Sequence, residues 1–134
     1  MRKTAMALSV LFILAAASGC AAVVAGAGVG AFSYVAGELS RDYPATYARS
    51  IEACEAVAKE LKIRISNKQD DGVQCTLEGK EPDGTGVVFR VKNLSPHHSS
   101  IGVRVGYVGL WDRDVAESVH SYLAENLGVK GTSN

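Results

Sequence analysis

The sequence predicts an α+β domain, a two-layer sandwich in which two helices cover one face of a mostly antiparallel sheet of about five strands. Two segments carry apolar residues at helical spacing, and four segments alternate apolar with polar residues between short turn signals. Strands joined by short turns pair as antiparallel neighbours, and two striped helices need an apolar sheet face to cover. The expected element order is therefore β-α-β-β-β-β-α, with both helices on the same face.

The domain is predicted to span residues 38–128 and to begin with a strand and a helix. Leu39, Arg41 and Tyr43 alternate with polar residues, and Pro44 ends this strand because it lacks a backbone donor. Thr46 is a suitable N-cap for the helix that follows. The apolar stripe of that helix, with spacings of three and four, consists of Tyr47, Ile51, Cys54, Ala58 and Leu61.

Four further strands are divided by turns at residues 70–72, 82–86 and 95–100, which are rich in Asp, Gly, Pro and Ser. One apolar face is predicted to carry Ile63, Ile65, Val73, Cys75, Leu77, Val87, Phe89, Val91, Ile101, Val103, Val105 and Tyr107. The opposite face is predicted to carry Arg64, Gln74, Thr76, Arg90, Lys92 and Arg104. The alternation therefore predicts a meander with a cationic outer face.

A final helix follows the sheet. Asp112 is a suitable cap and Gly128 a suitable stop, and Trp111 at the corner between sheet and helix is interpreted as a packing residue. The predicted stripe consists of Val115, Val119, Tyr122, Leu123 and Leu127. Residues 129–134 are predicted to form a disordered tail.

The N-terminus has the order of an export signal over residues 1–19: Arg2 and Lys3, then an apolar run, then small residues. Cys20 directly follows Ser18 and Gly19, and this end of the signal resembles the lipobox of bacterial lipoproteins. That resemblance implies cleavage between Gly19 and Cys20 and acylation of the Cys20 thiol. Multiple acyl chains hold a protein stably at a bilayer. The neutral Ala21 is typical of sorting to the outer membrane, so we expect a lipid-anchored protein on its periplasmic face.

Residues 20–37 contain no charged side chain before the domain, and we interpret them as a Gly- and Ala-rich lipidated tether. An alternative is a membrane-associated segment, because Ala22, Gly26 and Gly30 recur at every fourth position, as on a helix-packing face. Residues 26–31 also match a dinucleotide-binding fingerprint. Nothing downstream supplies the parallel sheet that this fingerprint needs, so no nucleotide cofactor is expected.

The order of these segments resembles a family. It consists of the Gly19-Cys20-Ala21 start, the Gly-rich tether, residues 34–39 (YVAGEL), the striped helix, and residues 103–106 (VRVG) before a last helix. Together they resemble one of the domain-of-unknown-function families of small bacterial lipoproteins, from about Cys20 to Leu127. The resemblance implies a periplasmic α+β module and carries over no activity, cofactor or catalytic residue.

With Cys20 acylated, two cysteines remain: Cys54 on the predicted helix and Cys75 on the strand beneath it, both expected to point inward. In an oxidising compartment the pair could form a disulfide worth about 3 kcal/mol. Two buried free thiols that act as small hydrophobes are the equal alternative. Both interpretations stay open at the level of the sequence.

Candidate catalytic or metal-binding residues are few. His97 and His98 fall in a predicted flexible loop and His120 on the last helix, and we interpret them as surface histidines without a metal site, since further ligands at useful spacing are missing. Asp70 and Asp71 read as turn chemistry. No catalytic group is assigned, because nothing assembles a nucleophile, a base and oxyanion donors.

The charge pattern bears on partners. The chain has a formal net charge of +0, and loss of Arg2 and Lys3 with the signal leaves −2. Its cations are scattered, so nucleic acid is not an expected partner. We therefore predict a non-catalytic module of the cell envelope that binds membrane lipid through Cys20 and another envelope protein or ligand through its outer face or a strand edge. The alternative is a membrane-associated oligomer formed through the Gly-rich segment, and an enzyme is less supported.

Overall fold

The computed structural model describes residues 29–129, and within them the sheet has seven antiparallel strands, two more than predicted. The elements in chain order are β1 (Ser33–Val35), β2 (Glu38–Tyr43), α1 (Tyr47–Glu60), β3 (Arg64–Asp70), β4 (Gln74–Lys80), β5 (Gly86–Ser95), β6 (His98–Tyr107), β7 (Leu110–Trp111) and α2 (Arg113–Leu127). The α+β class is confirmed.

The strand order is β1-β2-β6-β5-β4-β3, and β7 pairs with the end of β6. The four strands β3 to β6 form the predicted meander, and β2 returns beside β6. Both helices lie on one face, since α1 packs on β5 and β6, α2 packs on β6 and β2, and the helices contact each other. The result is the expected two layers.

The two unpredicted strands are short arms of hairpins. β1 joins β2 through Ala36 and Gly37, whose φ angles of 50° and 82° suit a tight hairpin turn. β7 joins β6 through a turn that contains Gly109, at a φ of 83°. Strands of three and two residues are too short to show alternation, so the sequence pattern could not reveal them.

The core lies between the sheet and the helices, and both helix starts agree with the sequence. The Thr46 hydroxyl accepts a hydrogen bond from the Arg49 amide, and the Asp112 carboxylate accepts one from the Val115 amide. α2 ends at Gly128 with a left-handed φ of 69°. Fully buried sheet residues include Leu39, Tyr43, Cys75, Leu77, Val87, Phe89, Val91, Ile101 and Val103.

Three residues predicted to be buried are exposed. Val73 lies in the turn before β4 begins, and Tyr107 is the last residue of β6, so neither lies under the helix layer. Tyr122 lies outside the stripe of α2, where His120 and Leu123 take the inward positions.

The predicted loop at 95–100 is also wrong. Ser95 still pairs with His98, so only Pro96 and His97 connect the two strands.

The folded part of the chain begins before residue 38. Val29 is buried in the core, Phe32 packs against it, and the Gly30 amide donates to the Asp42 carbonyl at 3.0 Å. Part of the segment predicted as a tether therefore contacts the domain. The predicted signal, its cleavage site at Gly19, the lipidation site Cys20 and residues 130–134 lie outside the described residues. Neither helix of the described chain is long and apolar enough to cross a membrane.

Candidate functional site

The face of the sheet opposite the helices, here called the outer face, is not covered by any element within residues 29–129. Its charged side chains alternate along the strands with buried residues. The cations are Arg64, Lys80, Arg90, Lys92 and Arg104, and the acids are Glu38, Asp42 and Glu78. The outer face is therefore cationic as predicted, although the prediction omitted these three acids.

An ion pair crosses the middle of the outer face. The Arg90 guanidinium on β5 donates to the Glu38 carboxylate on β2, and the Ser40 hydroxyl donates to the same carboxylate at 3.3 Å. The intervening strand β6 presents Gly102 at this point, and a Cβ there would overlap the Glu38 side chain. The pair thus depends on a glycine in the middle of a strand, which gives the carboxylate room to reach across.

A second cation stacks on the sole tryptophan. The Arg104 guanidinium lies 4.9 Å from the centre of the Trp111 ring, and the ring packs against Gly37 in the β1–β2 turn. The Arg104 Nε is buried and has no hydrogen-bond partner among the described residues. Trp111 therefore has a packing role, as interpreted from the sequence, and it also holds a guanidinium at the outer face.

An open cavity of about 510 Å³ lies on the outer face beside the β1–β2 hairpin. Its polar lining includes Ser33, Glu38, Ser40, Arg90, Lys92 and Arg104. Guanidinium, ammonium and hydroxyl groups are donors for carboxylate or phosphate oxygens. The cavity is thus suited to binding an anionic or polar group.

His120, predicted to lie on the surface, is fully buried. Its Nδ1 lies 2.7 Å from the Tyr43 hydroxyl, and its Nε2 lies 2.7 Å from the Leu39 carbonyl oxygen. A neutral ring that donates from Nε2 and accepts at Nδ1 satisfies both partners. Burial lowers the pKa of His120 to about 4, with a further contribution from Arg41, against the opposing effect of the Leu39 carbonyl. Through these two contacts the His120 ring links α2 to β2, so its role is structural.

The other two histidines stay at the surface, as predicted. His97 lies in the β5–β6 turn, and His98 has its Nδ1 at 3.4 Å from the Ser95 hydroxyl. Across residues 29–129, no three His, Cys, Asp or Glu side chains are grouped to hold a metal ion.

Cys54 and Cys75 are both buried free thiols, on α1 and β4 respectively. Burial raises the pKa of each thiol, and for Cys54 the neighbouring Cys75 adds to the effect. Raised pKa values keep both groups protonated and unreactive at neutral pH. Their inward orientation agrees with the sequence, and disulfide formation between them stays a prediction.

The acidic pair at the β3–β4 turn serves the turn itself. The Asp70 carboxylate accepts from the Gly72 amide, and the Asp71 carboxylate accepts from the amides of Val73 and Gln74. Tyr47 also donates to Asp70 at 2.7 Å. These hydrogen bonds lower the pKa of both carboxyls, Asp70 mainly through Tyr47 and Asp71 mainly through Gln74. The interpretation as turn chemistry is confirmed.

Two buried polar features were not predicted. The Arg41 side chain is buried under the N-terminal segment, where its Nε donates to the Gly30 carbonyl at 2.8 Å and its guanidinium lies 4.5 Å from the Phe32 ring centre. The hydroxyls of Ser50 and Ser99 pair at 2.5 Å between α1 and β6.

One sequence signal for the burial of His120 was available: Ala116, His120 and Leu123 share the spacing of the helix stripe.

Comparison with protein families identifies the chain. The model of the family described as "Protein of unknown function (DUF3568)" matches residues 3–126. The chain belongs to the DUF3568 family. No curated protein matches it. The resemblance to a domain-of-unknown-function family is thereby confirmed.

In this DUF3568 chain, charge is distributed unevenly around the fold. Residues 29–129 contain eleven Lys and Arg and fourteen Asp and Glu, a formal charge of −3. The outer face, with five cations and three acids, has a formal charge of +2. The rest of the described domain therefore carries a formal charge of −5, which is −3 minus +2, and positive charge is segregated onto the outer face.

Proposed function

We propose that this DUF3568 protein is a non-catalytic lipoprotein of the cell envelope. Cys20 tethers it to the periplasmic face of the outer membrane, and its outer face binds an anionic envelope component. The tether follows from the export signal and from the Gly19-Cys20 junction. The observation that carries the binding role is the segregation of positive charge onto the uncovered face of an otherwise acidic domain.

The chemistry of the outer face supports binding rather than catalysis. Arg90 is held in place by Glu38, and Arg104 is held over Trp111, so two guanidinium groups have fixed positions beside the cavity. Fixed guanidinium groups bind carboxylates and phosphates with geometric selectivity. Lys92 adds an exposed ammonium at the cavity wall.

The strand edges are less suited to a partner than the outer face. β1 has only three residues to offer, and β3 carries a bulge between Ile65 and Asn67. β3 also carries Lys68, whose ammonium pairs with Glu55 on α1 at 2.6 Å. Short edges, bulges and lysines are the features by which proteins prevent strand addition. We therefore assign the partner to the outer face.

Site-specific photo-crosslinking in cells tests this proposal. A photoreactive residue replaces Thr76 on the outer face or, as a control, Ala56 on the exposed side of α1. We expect a specific adduct from position 76 and none from position 56. Equal adducts from both positions, or none from position 76, would refute the proposal.

A charge-reversal pair tests the electrostatic cause. Lys80→Glu with Lys92→Glu reverses two exposed cations of the outer face, whereas Arg49→Glu with Lys59→Glu makes the same change in net charge on the exposed side of α1. The first pair should abolish the adduct at position 76, and the second should leave it intact. An adduct that survives the first pair would show that the outer-face charges do not recruit the partner.

A further inference from the structure

Of the six large apolar side chains of the described chain that are more than half exposed, four lie at one end of the sheet. Val108 is 93% exposed, Leu110 77%, Val35 68% and Tyr107 59%. Val108 lies in the β6–β7 turn, and the other three are the strand residues next to this turn or to the β1–β2 turn. We call these four residues the apolar tip.

The two turns form one continuous surface. β7 pairs with the last residues of β6, and the Trp111 ring on β7 packs directly on Gly37 between β1 and β2. The Asp112 amide, which donates to the Val105 carbonyl at 2.8 Å, fixes the β6–β7 hairpin at its base. The apolar tip is therefore held by backbone pairing and has a defined position relative to the domain.

Cations and aromatic rings border the apolar tip. Arg104 stacks on Trp111, and Arg113 lies 5.4 Å from the centre of the Tyr34 ring. Aromatic rings with Arg or Lys next to exposed aliphatic residues are the combination that settles at a membrane interface, where the apolar groups enter the acyl region and the cations meet lipid phosphates.

We propose that the apolar tip inserts into the surface of an anionic phospholipid bilayer and orients the domain there. This inference rests on the proposed lipid anchor, since the anchor keeps the domain within reach of a bilayer. Lipid is then a second contact of the folded domain, and Val35 and Arg104 lie at the border between the apolar tip and the cavity of the outer face.

The length of the tether allows this arrangement. The chain enters the domain at Val29 and Gly30, beside Asp42, at the end of β2 opposite to the apolar tip. The six residues of β2 span about 20 Å, and the nine residues from Cys20 to Val29 span up to about 30 Å when extended. Cys20 can therefore lie in the same bilayer surface that the apolar tip enters.

A second copy of the chain fits the apolar tip less well. Each partner of a stable complex buries about 800 Å², which is more than four partly exposed side chains can supply. A bilayer needs no complementary surface, and each apolar side chain that inserts adds to the free energy of membrane binding. The size of the patch thus favours lipid as its occupant.

Trp111 makes the test direct, because it is the only tryptophan and lies next to Leu110. The full mature chain, extracted from membranes, is reconstituted into vesicles of phosphatidylethanolamine and phosphatidylglycerol with plain or brominated acyl chains. We expect brominated lipid to quench Trp111. The pair Val108→Ser and Leu110→Ser should lose most of this quenching. The control is Val73→Ser, at the β3–β4 turn. Val73 is 68% exposed, as is Val35 in the apolar tip, and this variant should retain the quenching.

Two results would overturn the inference: wild-type Trp111 fluorescence that is the same in plain and brominated vesicles, or equal quenching in the Ser pair. Self-association that depends on the apolar tip, without quenching by lipid, would likewise overturn it and identify a second copy as the occupant. The intact mass of the same sample separates this outcome from the parent proposal. An acylated chain without quenching refutes only the tip, whereas an unacylated chain refutes the anchor.

Discussion

The carboxylate of Glu38 reaches across strand β6 to pair with the guanidinium of Arg90, two strands away on the sheet. Gly102 lies beneath the pair on the strand between them, and both side chains are partly shielded from water. Shielding strengthens an ion pair and its hydrogen bonds relative to an exposed pair. The pair fixes one of the two guanidinium groups that we assign to binding.

The substitution Gly102→Ala should break this ion pair, because the new Cβ would overlap the Glu38 side chain. We expect the free energy of unfolding, measured by urea denaturation, to fall by about 1 kcal/mol. In a Glu38→Ala background the same substitution should cost much less, since the ion pair and the overlapping side chain are both already lost. Additive losses in the double variant would contradict this assignment.

Gly37→Ala and Gly109→Ala form a matched pair at nearly equal backbone angles, with φ of 82° and 83°. A Cβ at Gly109 meets nothing within 4 Å, whereas a Cβ at Gly37 overlaps the Trp111 ring. Gly109→Ala should cost only the left-handed backbone penalty of about 1 kcal/mol. Gly37→Ala should cost more and shift the Trp111 fluorescence to the red as the ring is displaced. Equal losses in urea denaturation would show that the contact contributes nothing.

Burial of His120 predicts that stability depends on pH. Its pKa is lowered from 6.5 to about 4, so the folded chain binds this proton more weakly than the unfolded chain does. The full stability is present above the unfolded pKa and is lost as the pH falls toward the folded pKa. Between about pH 7.5 and about pH 5 the unfolding free energy should fall by about 2 kcal/mol.

Two variants isolate the contribution of His120. His120→Asn should be less stable overall and nearly insensitive to pH in this window, while the exposed His97→Asn should keep the wild-type slope. The carboxyls of Asp70, Asp71 and Asp83 have pKa values lowered by hydrogen bonds, so their contribution is lost only at lower pH. An unchanged slope in His120→Asn would assign the dependence to other groups.

The two buried thiols give a prediction about reactivity. Alkylation of the folded chain should leave Cys54 and Cys75 unmodified, because both are buried and protonated. Denaturation without a reductant should then expose two alkylatable thiols if the pair is free. Intact mass checks both steps. Fast alkylation of the native chain would contradict the burial, and alkylation that requires a reductant would establish the disulfide.

The sequence pattern correctly predicted the elements that are long enough to show a periodic alternation of apolar and polar residues. The strand around Phe89 and the helix around Cys54 extend over enough residues for periods of two and 3.6 to be visible, and both sit in the core as expected. β1 and β7 are too short for a period, and their pairing depends on the turns at Gly37 and Gly109.

The candidate site was predicted only in part, because its contacts join distant positions. The cationic side chains of the outer face followed from alternation with buried residues. The Glu38–Arg90 pair joins positions 52 residues apart and depends on a strand order that the pattern does not specify. The surface position predicted for His120 was wrong because polar residues are usually assigned to the surface. In the structure its two ring nitrogens have hydrogen-bond partners in Tyr43 and Leu39, so the ring can be buried.

Acylation of Cys20 is what would place the domain at a membrane, and the proposed functions of the outer face and of the apolar tip both depend on it. The direct measurement is the intact mass of the protein extracted from membranes, compared with a Cys20→Ser variant. We predict a chain that begins at Cys20 and carries acyl groups, and a Cys20→Ser product that is neither processed at Gly19 nor acylated. A wild-type chain without acyl mass, or a Cys20→Ser chain still processed and firmly membrane-bound, would contradict the account.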